Sequence, residues 1–314
     1  MPNPHIVELG GGRCYADLGF RDTEGLVASY FLPEEGGWSV VEVGPTTCRG
    51  RLLAALDSAG IDRSAVRHVL VTHIHLDHAG GLGALAESLL NATFYAHASA
   101  IEHLVDPGRL IASARRAWGP AADPLWGPIV PVPAPRLVAL TGGESLPMRG
   151  GPLQVVATPG HARHHLAFFD SATGSLLTGD AAGVRLTSGW RPRPALPPPD
   201  LDLPELFRSL DRMRELAPRR IMFTHFGESP EGPGDLTAYR LAVEQWRDAA
   251  LSAAQADPSV ANVARALRAC ETEAARHAGR ADPRGDSAEL ISGYDLAAQG
   301  LLRYFRTQGA IAGG

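Results

Sequence analysis

A run of metal-ligand side chains follows an apolar stretch in the first third of the chain. Residues 66–72 (VRHVLVT) predict a buried strand, directly followed by His73, His75, Asp77 and His78 in the pattern H-x-H-x-D-H. Because alternate residues leaving a strand point to the same side, His73 and His75 can share one metal ion. Asp77 and His78 lie beyond the turn and can reach a second ion. Imidazole and carboxylate together suit zinc or another divalent transition ion better than calcium or magnesium.

Three further potential ligands occupy one recurring setting, the first loop residues after an apolar strand. His161 follows LQVVAT, Asp180 follows SLL, and His225 follows RIMF. Open α/β sheets bind their ligands outside the carboxyl ends of the strands, so these side chains are expected to converge with the first group. His164 and His165 come close behind His161 and are candidates to support a ligand.

The order of the predicted elements indicates an α/β protein. Strands and helices alternate through the first 230 residues, with a hairpin over 26–43, a helix over 49–59, strands over 153–158 and 166–177, a helix over 203–216 and a strand over 220–224. After about residue 235 the apolar spacing is helical only, over 236–254, 260–277 and 288–306. The sequence therefore predicts an α/β core followed by a helical C-terminal region.

Two Pro- and Trp-rich stretches interrupt this alternation, at about 105–136 and 185–200. The first contains Trp118 and Trp126, and the second contains Trp190. Both stretches are longer than ordinary connections, which usually run about 4–6 residues. Their tryptophans either line an apolar slot that selects substrates, or pack the insertions onto the core or the C-terminal helices, or form a dimer contact.

Composition excludes several classes of protein. The 29 basic residues, all of them Arg, stand against 34 acidic ones and leave a formal charge of −5, without the basic excess of a nucleic-acid-binding protein. The absence of Lys excludes Schiff-base chemistry. No apolar run reaches the ~20 residues that cross a bilayer, and the N-terminus lacks the apolar core of a signal peptide. Three well-separated cysteines suit a reducing compartment, so a cytoplasmic protein is expected.

The order of the ligand residues resembles that of the metallo-β-lactamase-fold superfamily, whose members carry H-x-H-x-D-H, then a separate His, an Asp and a final His. All seven positions are matched, and the phrases THIHLDHAGG and TPGHARHH are most similar to the glyoxalase II-like, hydroxyacylglutathione hydrolase branch. The resemblance implies an αββα sandwich over residues 1–232, with a C-terminal helical region over 233–314 packed on it.

The resemblance also implies the roles of the seven residues. One metal ion would be held by His73, His75 and His161, and the other by Asp77, His78 and His225, with Asp180 bridging the two. The expected cofactor is two Zn²⁺ per chain, with Fe or Mn as alternatives.

The activity that follows from this resemblance is hydrolysis of a thioester or other activated ester by a metal-bridging hydroxide. Asp77 would orient the hydroxide and accept its proton, and the substrate would be a small molecule. A homo-oligomer is compatible with the sequence. Two alternatives stay open: a lactonase, and an oxidoreductase like the persulfide dioxygenases, which use one iron held at the positions of His73, His161 and Asp180.

Overall fold

The strand that leads into the H-x-H-x-D-H run belongs to a sheet with seven strands among the described residues. The computed structural model describes residues 4–186, 191–280 and 289–312. The strands pair in sequence order, and their bounds are β1 Ile6–Gly10, β2 Arg13–Asp17, β3 Ala28–Glu34, β4 Gly37–Val41, β5 Val66–Leu70, β6 Thr93–His97 and β7 Leu137–Leu140. Pairing is antiparallel from β1 to β4 and parallel from β4 to β7. The predicted hairpin over 26–43 is confirmed as β3 and β4.

The chain forms two compact units. The first comprises Met1–Ala157 with Leu166–Leu177, and the second comprises Thr158–His165 with Thr178–Gly314. The predicted boundary between residues 232 and 233 stays a prediction.

The first unit contains a further set of antiparallel strands. They are β8 Ser145–Leu146, β9 Leu153–Ala157, β10 Leu166–Asp170 and β11 Ser175–Leu177. Gly174 closes the turn between β10 and β11 at φ +71°, a left-handed conformation that favours glycine. The strands predicted over 153–158 and 166–177 are therefore confirmed.

The helices of the first unit include two inside the predicted insertion 105–136. The bounds are α1 Arg49–Ser58, α2 Leu76–Ala79, α3 Leu82–Ala86, α4 Ile101–Val105, α5 Gly108–Trp118 and α6 Ala122–Trp126. The prolines of this insertion do not interrupt its helices. Pro107 instead precedes α5, and Pro124 lies in the first turn of α6, where the missing N–H costs no helical hydrogen bond.

The second unit is mainly helical. Its elements are α7 Leu203–Glu215, β12 Arg220–Phe223, β13 Gly227–Glu228, α8 Gly234–Ala256, α9 Val260–His277 and α10 Tyr294–Thr307. Asp202 caps α7 by accepting a hydrogen bond from the amide of Glu205 at 3.0 Å. Apolar side chains such as Trp246 on α8, Leu267 on α9 and Leu301 on α10 are completely buried. The predicted α/β core followed by a helical C-terminal region is therefore confirmed.

The predicted C-terminal helices agree closely with the observed ones. The predictions for 236–254 and 260–277 match α8 and α9 to within two residues. The third helix was predicted to start at residue 288, which lies outside the described residues, and α10 begins at Tyr294 after Gly293. Within the described part of the chain, none of the helices combines the length and the apolar character that crossing a bilayer demands.

Candidate metal centre

The first ligand cluster lies just past the carboxyl end of β5. Nε2 of His73 is 2.9 Å from Nδ1 of His75, and the rings of His73 and His78 are 4.0 Å apart between centroids. Nε2 of His78 is 4.0 Å from a carboxylate oxygen of Asp77. The structure therefore brings together all four residues of the H-x-H-x-D-H run, as their spacing predicts.

A short helix places the second half of this run. His75 is extended and precedes α2, and its carbonyl accepts hydrogen bonds from the amides of His78 at 3.0 Å and Ala79 at 2.9 Å. Asp77 and His78 consequently lie in the first turn of α2. Asp77 stays half-buried, with 16% of its side chain exposed, whereas His78 is completely buried.

Glu42 fixes the buried ring of His78. One oxygen of its carboxylate contacts Nδ1 of His78, and the other accepts a hydrogen bond from the amide of Thr72 at 2.7 Å. Glu42 follows β4 with φ +69°, and its carbonyl accepts a hydrogen bond from Ser29 Oγ at 2.7 Å. The hydroxyl of Thr72 lies 3.0 Å from Nδ1 of His73. Both contacts are made by side chains at Nδ1, so the Nε2 atoms of His73 and His78 point away from these supports, where an ion can be bound.

The role of Glu42 was not predicted from the sequence. The available signal was one acid in the otherwise apolar stretch VVEVG, near the end of the hairpin predicted over 26–43. A fully buried carboxylate needs partners, so its position predicts hydrogen bonds but does not name them.

The second cluster lies in the second unit and is centred on Asp180. One carboxylate oxygen of Asp180 is 3.6 Å from Nε2 of His161, and the other is 3.6 Å from Nε2 of His225. All three side chains are buried. The structure thus brings together the three ligands predicted at separate strand ends.

The orientation of His161 follows from its other nitrogen. Nδ1 of His161 lies 2.8 Å from the carbonyl oxygen of Ala195, which can only accept a hydrogen bond. Nδ1 must therefore carry the proton, so the lone pair of neutral His161 lies on Nε2, the atom nearest Asp180. This tautomer is the one that a metal ligand requires.

His165 supports Asp180 rather than joining the ligands. The amide of Asp180 donates to Nε2 of His165 at 3.1 Å, so the proton of neutral His165 is on Nδ1 and is donated to Oγ1 of Thr158 at 2.8 Å. His165 is completely buried. His165, one of the two histidines that the sequence suggested as supports, thus contacts the backbone of a candidate ligand.

A buried ion pair holds the loop of His225. The amide of Arg185 donates to the carbonyl of His225, and the carbonyl of Arg185 accepts from the amide of Phe226 at 2.7 Å. The guanidinium of Arg185 donates to Asp235 on α8 at 2.6 Å, and Ser229 Oγ donates to the same oxygen at 2.6 Å. Burial raises the pKa of Asp235, while the hydrogen bond from Ser229 and the charge of Arg185 act in the opposite direction.

The tryptophans of the insertions have different surroundings. Trp126 is 6% exposed and stacks on Phe20, with 5.6 Å between ring centroids. Trp118 contacts the edge of Trp126 at 5.6 Å and is 37% exposed. Trp190 lies outside the described residues. Packing therefore accounts for Trp126, whereas the substrate slot stays a prediction that rests on Trp118.

The model of the metallo-β-lactamase superfamily matches residues 22–225, a span that includes every predicted ligand. The chain belongs to the metallo-β-lactamase superfamily. The match supports metal-dependent hydrolysis in general, and the two His and Asp clusters indicate metal cofactors.

Individual relatives are distant. A metallo-β-lactamase fold-containing protein of Sulfurisphaera tokodaii is 27% identical over 191 residues, which cover 57% of this chain and 70% of that protein. A hydroxyacylglutathione hydrolase of Albidiferax ferrireducens is 30% identical over 118 residues, which cover 38% of this chain. The chain spans only 32% of that hydrolase.

The fold itself is confirmed by solved structures. A metallo-β-lactamase family protein of Thermus thermophilus superposes with a TM-score of 0.68 at 21% identity, covering 100% of this chain and 97% of the other. The predicted metallo-β-lactamase fold with a C-terminal helical region is therefore confirmed. Hydroxyacylglutathione hydrolases among the relatives partly support the predicted glyoxalase II-like branch.

Proposed function

We propose that this protein is a dinuclear metal-dependent hydrolase of thioesters or other activated esters. The observation that carries the proposal is the position of Asp180, whose two carboxylate oxygens each lie 3.6 Å from a different imidazole, those of His161 and His225. A carboxylate with its two oxygens directed to two separate histidines suits a ligand shared between two ions.

The remaining ligands are assigned by the family pattern. The first ion would be held by His73, His75 and His161, the second by Asp77, His78 and His225, and both by Asp180. Nitrogen and carboxylate donors fit zinc, iron or manganese. Several of these imidazoles have their other nitrogen at hydrogen-bonding distance from a supporting group, which is typical of ligating histidines: Thr72 for His73, Glu42 for His78 and Ala195 for His161.

Two divalent ions bound at this centre would lower the pKa of a shared water and polarise the carbonyl of the substrate. The half-buried carboxylate of Asp77 would orient the attacking water and accept its proton. A thiol leaving group has a pKa near 8.5 and departs as a thiolate without a strong general acid. An Asp and His centre therefore suffices for thioester hydrolysis.

The substrate class is supported by the relatives named hydroxyacylglutathione hydrolase, because a hydroxyacylglutathione is a thioester. We accordingly propose a small-molecule thioester as the substrate. A lactone is the alternative ester, and assembly into a homo-oligomer remains compatible with the proposal.

The test combines metal analysis with a substrate panel. The protein purified without added metal is analysed for bound elements, and the zinc-loaded protein is assayed with acyl-glutathione, acyl-CoA, lactone, phosphoester and β-lactam substrates. We expect about two ions per chain and preferential thioester hydrolysis. Asp180→Asn should lose both, whereas the matched variant Asp211→Asn, at an exposed site on α7, should retain both. A content of about one iron per chain without hydrolysis of any of these substrates would overturn this proposal in favour of an oxygen-dependent oxidoreductase.

A further inference from the structure

We infer that Arg193 is a positioning residue, through which the C-terminal helices hold the carbonyl of Ala195 against His161. The inference rests on the proposed function, since it concerns how a metal ligand is oriented. Arg193 is 1% exposed, and its guanidinium carbon lies 3.9 Å from the ring centre of Tyr294 on α10 and 5.5 Å from that of Trp246 on α8. Glu289 accepts a hydrogen bond from its Nη2 at 3.1 Å.

Burying a guanidinium is costly unless stacking and ion pairing compensate for its lost hydration. Tyr294, Trp246 and Glu289 provide this compensation from the C-terminal part of the chain. The position of Arg193 is therefore set by residues at least 50 positions later in the sequence. A side chain held by two aromatic rings and a carboxylate cannot shift without breaking several contacts at once.

The backbone transmits this restraint to Ala195. Arg193 pairs with Val184, the two amides donating to the opposite carbonyls at 2.8 and 3.0 Å. Ala195 lies only two residues further along, at most about 7 Å in an extended chain, so the chain between them has little slack. The carbonyl of Pro194 in turn accepts a hydrogen bond from Ser292 Oγ at 2.7 Å.

Helix α10 also approaches this segment closely at Gly300. Gly300 lies so near that a Cβ atom there would be 2.0 Å from the carbonyl oxygen of Leu196. Three residues of the segment 193–196 are consequently restrained. The side chain of Arg193 is held by aromatic rings and Glu289, the carbonyl of Pro194 by Ser292, and the carbonyl of Leu196 by the close approach of α10. The one carbonyl of this segment that contacts a proposed ligand is that of Ala195, 2.8 Å from Nδ1 of His161.

The chain offers a matched control for Arg193. Arg268 on α9 stacks on the same tyrosine, with its guanidinium carbon 4.5 Å from the ring centre of Tyr294, and lies 3.6 Å from Glu289. Its side chain is 62% exposed, and it is not part of the 193–196 segment. Replacing it removes similar contacts from Tyr294 and Glu289 without touching the segment that holds Ala195.

The test measures zinc affinity by competition with a chromophoric chelator in the full-length protein, together with the thermal midpoint of the metal-free protein. We expect Arg193→Met to bind the weaker of its two zinc ions about 10–100-fold less tightly than the unmodified protein, the usual effect of losing support for a ligating histidine. Arg268→Met should bind zinc with an affinity within about two-fold of that of the unmodified protein, because Arg268 does not support a ligating histidine.

A milder variant keeps the inference testable if Arg193→Met does not fold. Ser292→Ala removes only the hydrogen bond to Pro194, and we expect it to weaken zinc binding in the same direction with the fold intact. A folded Arg193→Met protein with unchanged zinc affinity would overturn the inference and leave the proposed function standing. If Arg193→Met is unfolded, unchanged affinity in Ser292→Ala overturns it instead. An unmodified protein that binds no metal would overturn the proposed function itself.

Discussion

The carboxylate of Glu42 joins Nδ1 of His78 to the amide of Thr72, the residue that precedes the first ligand. Glu42 follows β4 and Thr72 follows β5, and these two strands pair in parallel. The pairing of two adjacent strands therefore sets the orientation of a buried histidine. Residues outside the H-x-H-x-D-H run are as much part of its geometry as the run itself.

Replacing Glu42 by Gln should weaken both the fold and the metal site. An amide cannot accept hydrogen bonds from both the Thr72 amide and the imidazole through two oxygens, so one buried group loses its partner. We expect the free energy of unfolding to fall by about 1–3 kcal/mol. Urea denaturation and zinc competition measure the two effects. Glu35→Gln, in the exposed turn between β3 and β4, is the control and should change neither.

Removing a ligand should separate metal binding from folding. His75→Ala or His161→Ala should lose metal and hydrolytic activity while the protein stays folded, because a chain of 314 residues can bury a large core without a structural metal. Elemental analysis and circular dichroism provide the two readouts. The exposed His277→Ala variant should match the unmodified protein. Full metal content in either ligand variant would remove that residue from the proposed centre.

Asp77→Asn should affect the chemical step more than substrate binding. If Asp77 accepts the proton of the attacking water, its loss lowers kcat by about 10²–10⁴-fold with a smaller change in KM. Steady-state kinetics of the variant reloaded with zinc, compared at equal metal content, give both constants. An unchanged kcat would show that another group takes the proton.

The two tryptophans of the first insertion should respond differently to truncation. Trp126 is buried against Phe20, so Trp126→Ala should cost about 3–5 kcal/mol of stability whatever the substrate. Trp118 is 37% exposed, and Trp118→Ala should instead raise KM for long apolar acyl substrates and leave short ones unaffected. Equal KM changes for long and short acyl chains would argue against an apolar slot at Trp118.

The grouping of the candidate ligands could be predicted from the sequence because their residue types are rare and their setting recurs. His161, Asp180 and His225 each follow an apolar strand, and the structure groups them as that pattern indicates. Ala195 could not be predicted, since its contribution is a backbone carbonyl that any residue type provides. The position of Glu42 depends on a left-handed backbone and on pairing between strands 25 residues or more apart in the chain, which no local pattern records.

The helices of the insertion show a different limit. Residues 105–136 were predicted only as a Pro- and Trp-rich insertion, yet two of its prolines, Pro107 and Pro124, precede or begin helices, where proline is well tolerated. The number of prolines alone therefore does not indicate that residues 105–136 contain two helices, because their positions relative to the helix ends decide this.

Gly300 has a practical consequence for anyone who stabilises this protein by design. Replacing a glycine in the middle of a helix by alanine is ordinarily among the safest stabilising changes, with a gain of about 0.5–1 kcal/mol. Here the added methyl group would meet the carbonyl of Leu196 and push against the segment beside His161. The usual gain would therefore turn into a loss of stability and a disturbance of the site, so this glycine belongs among the positions that a stability library leaves unchanged.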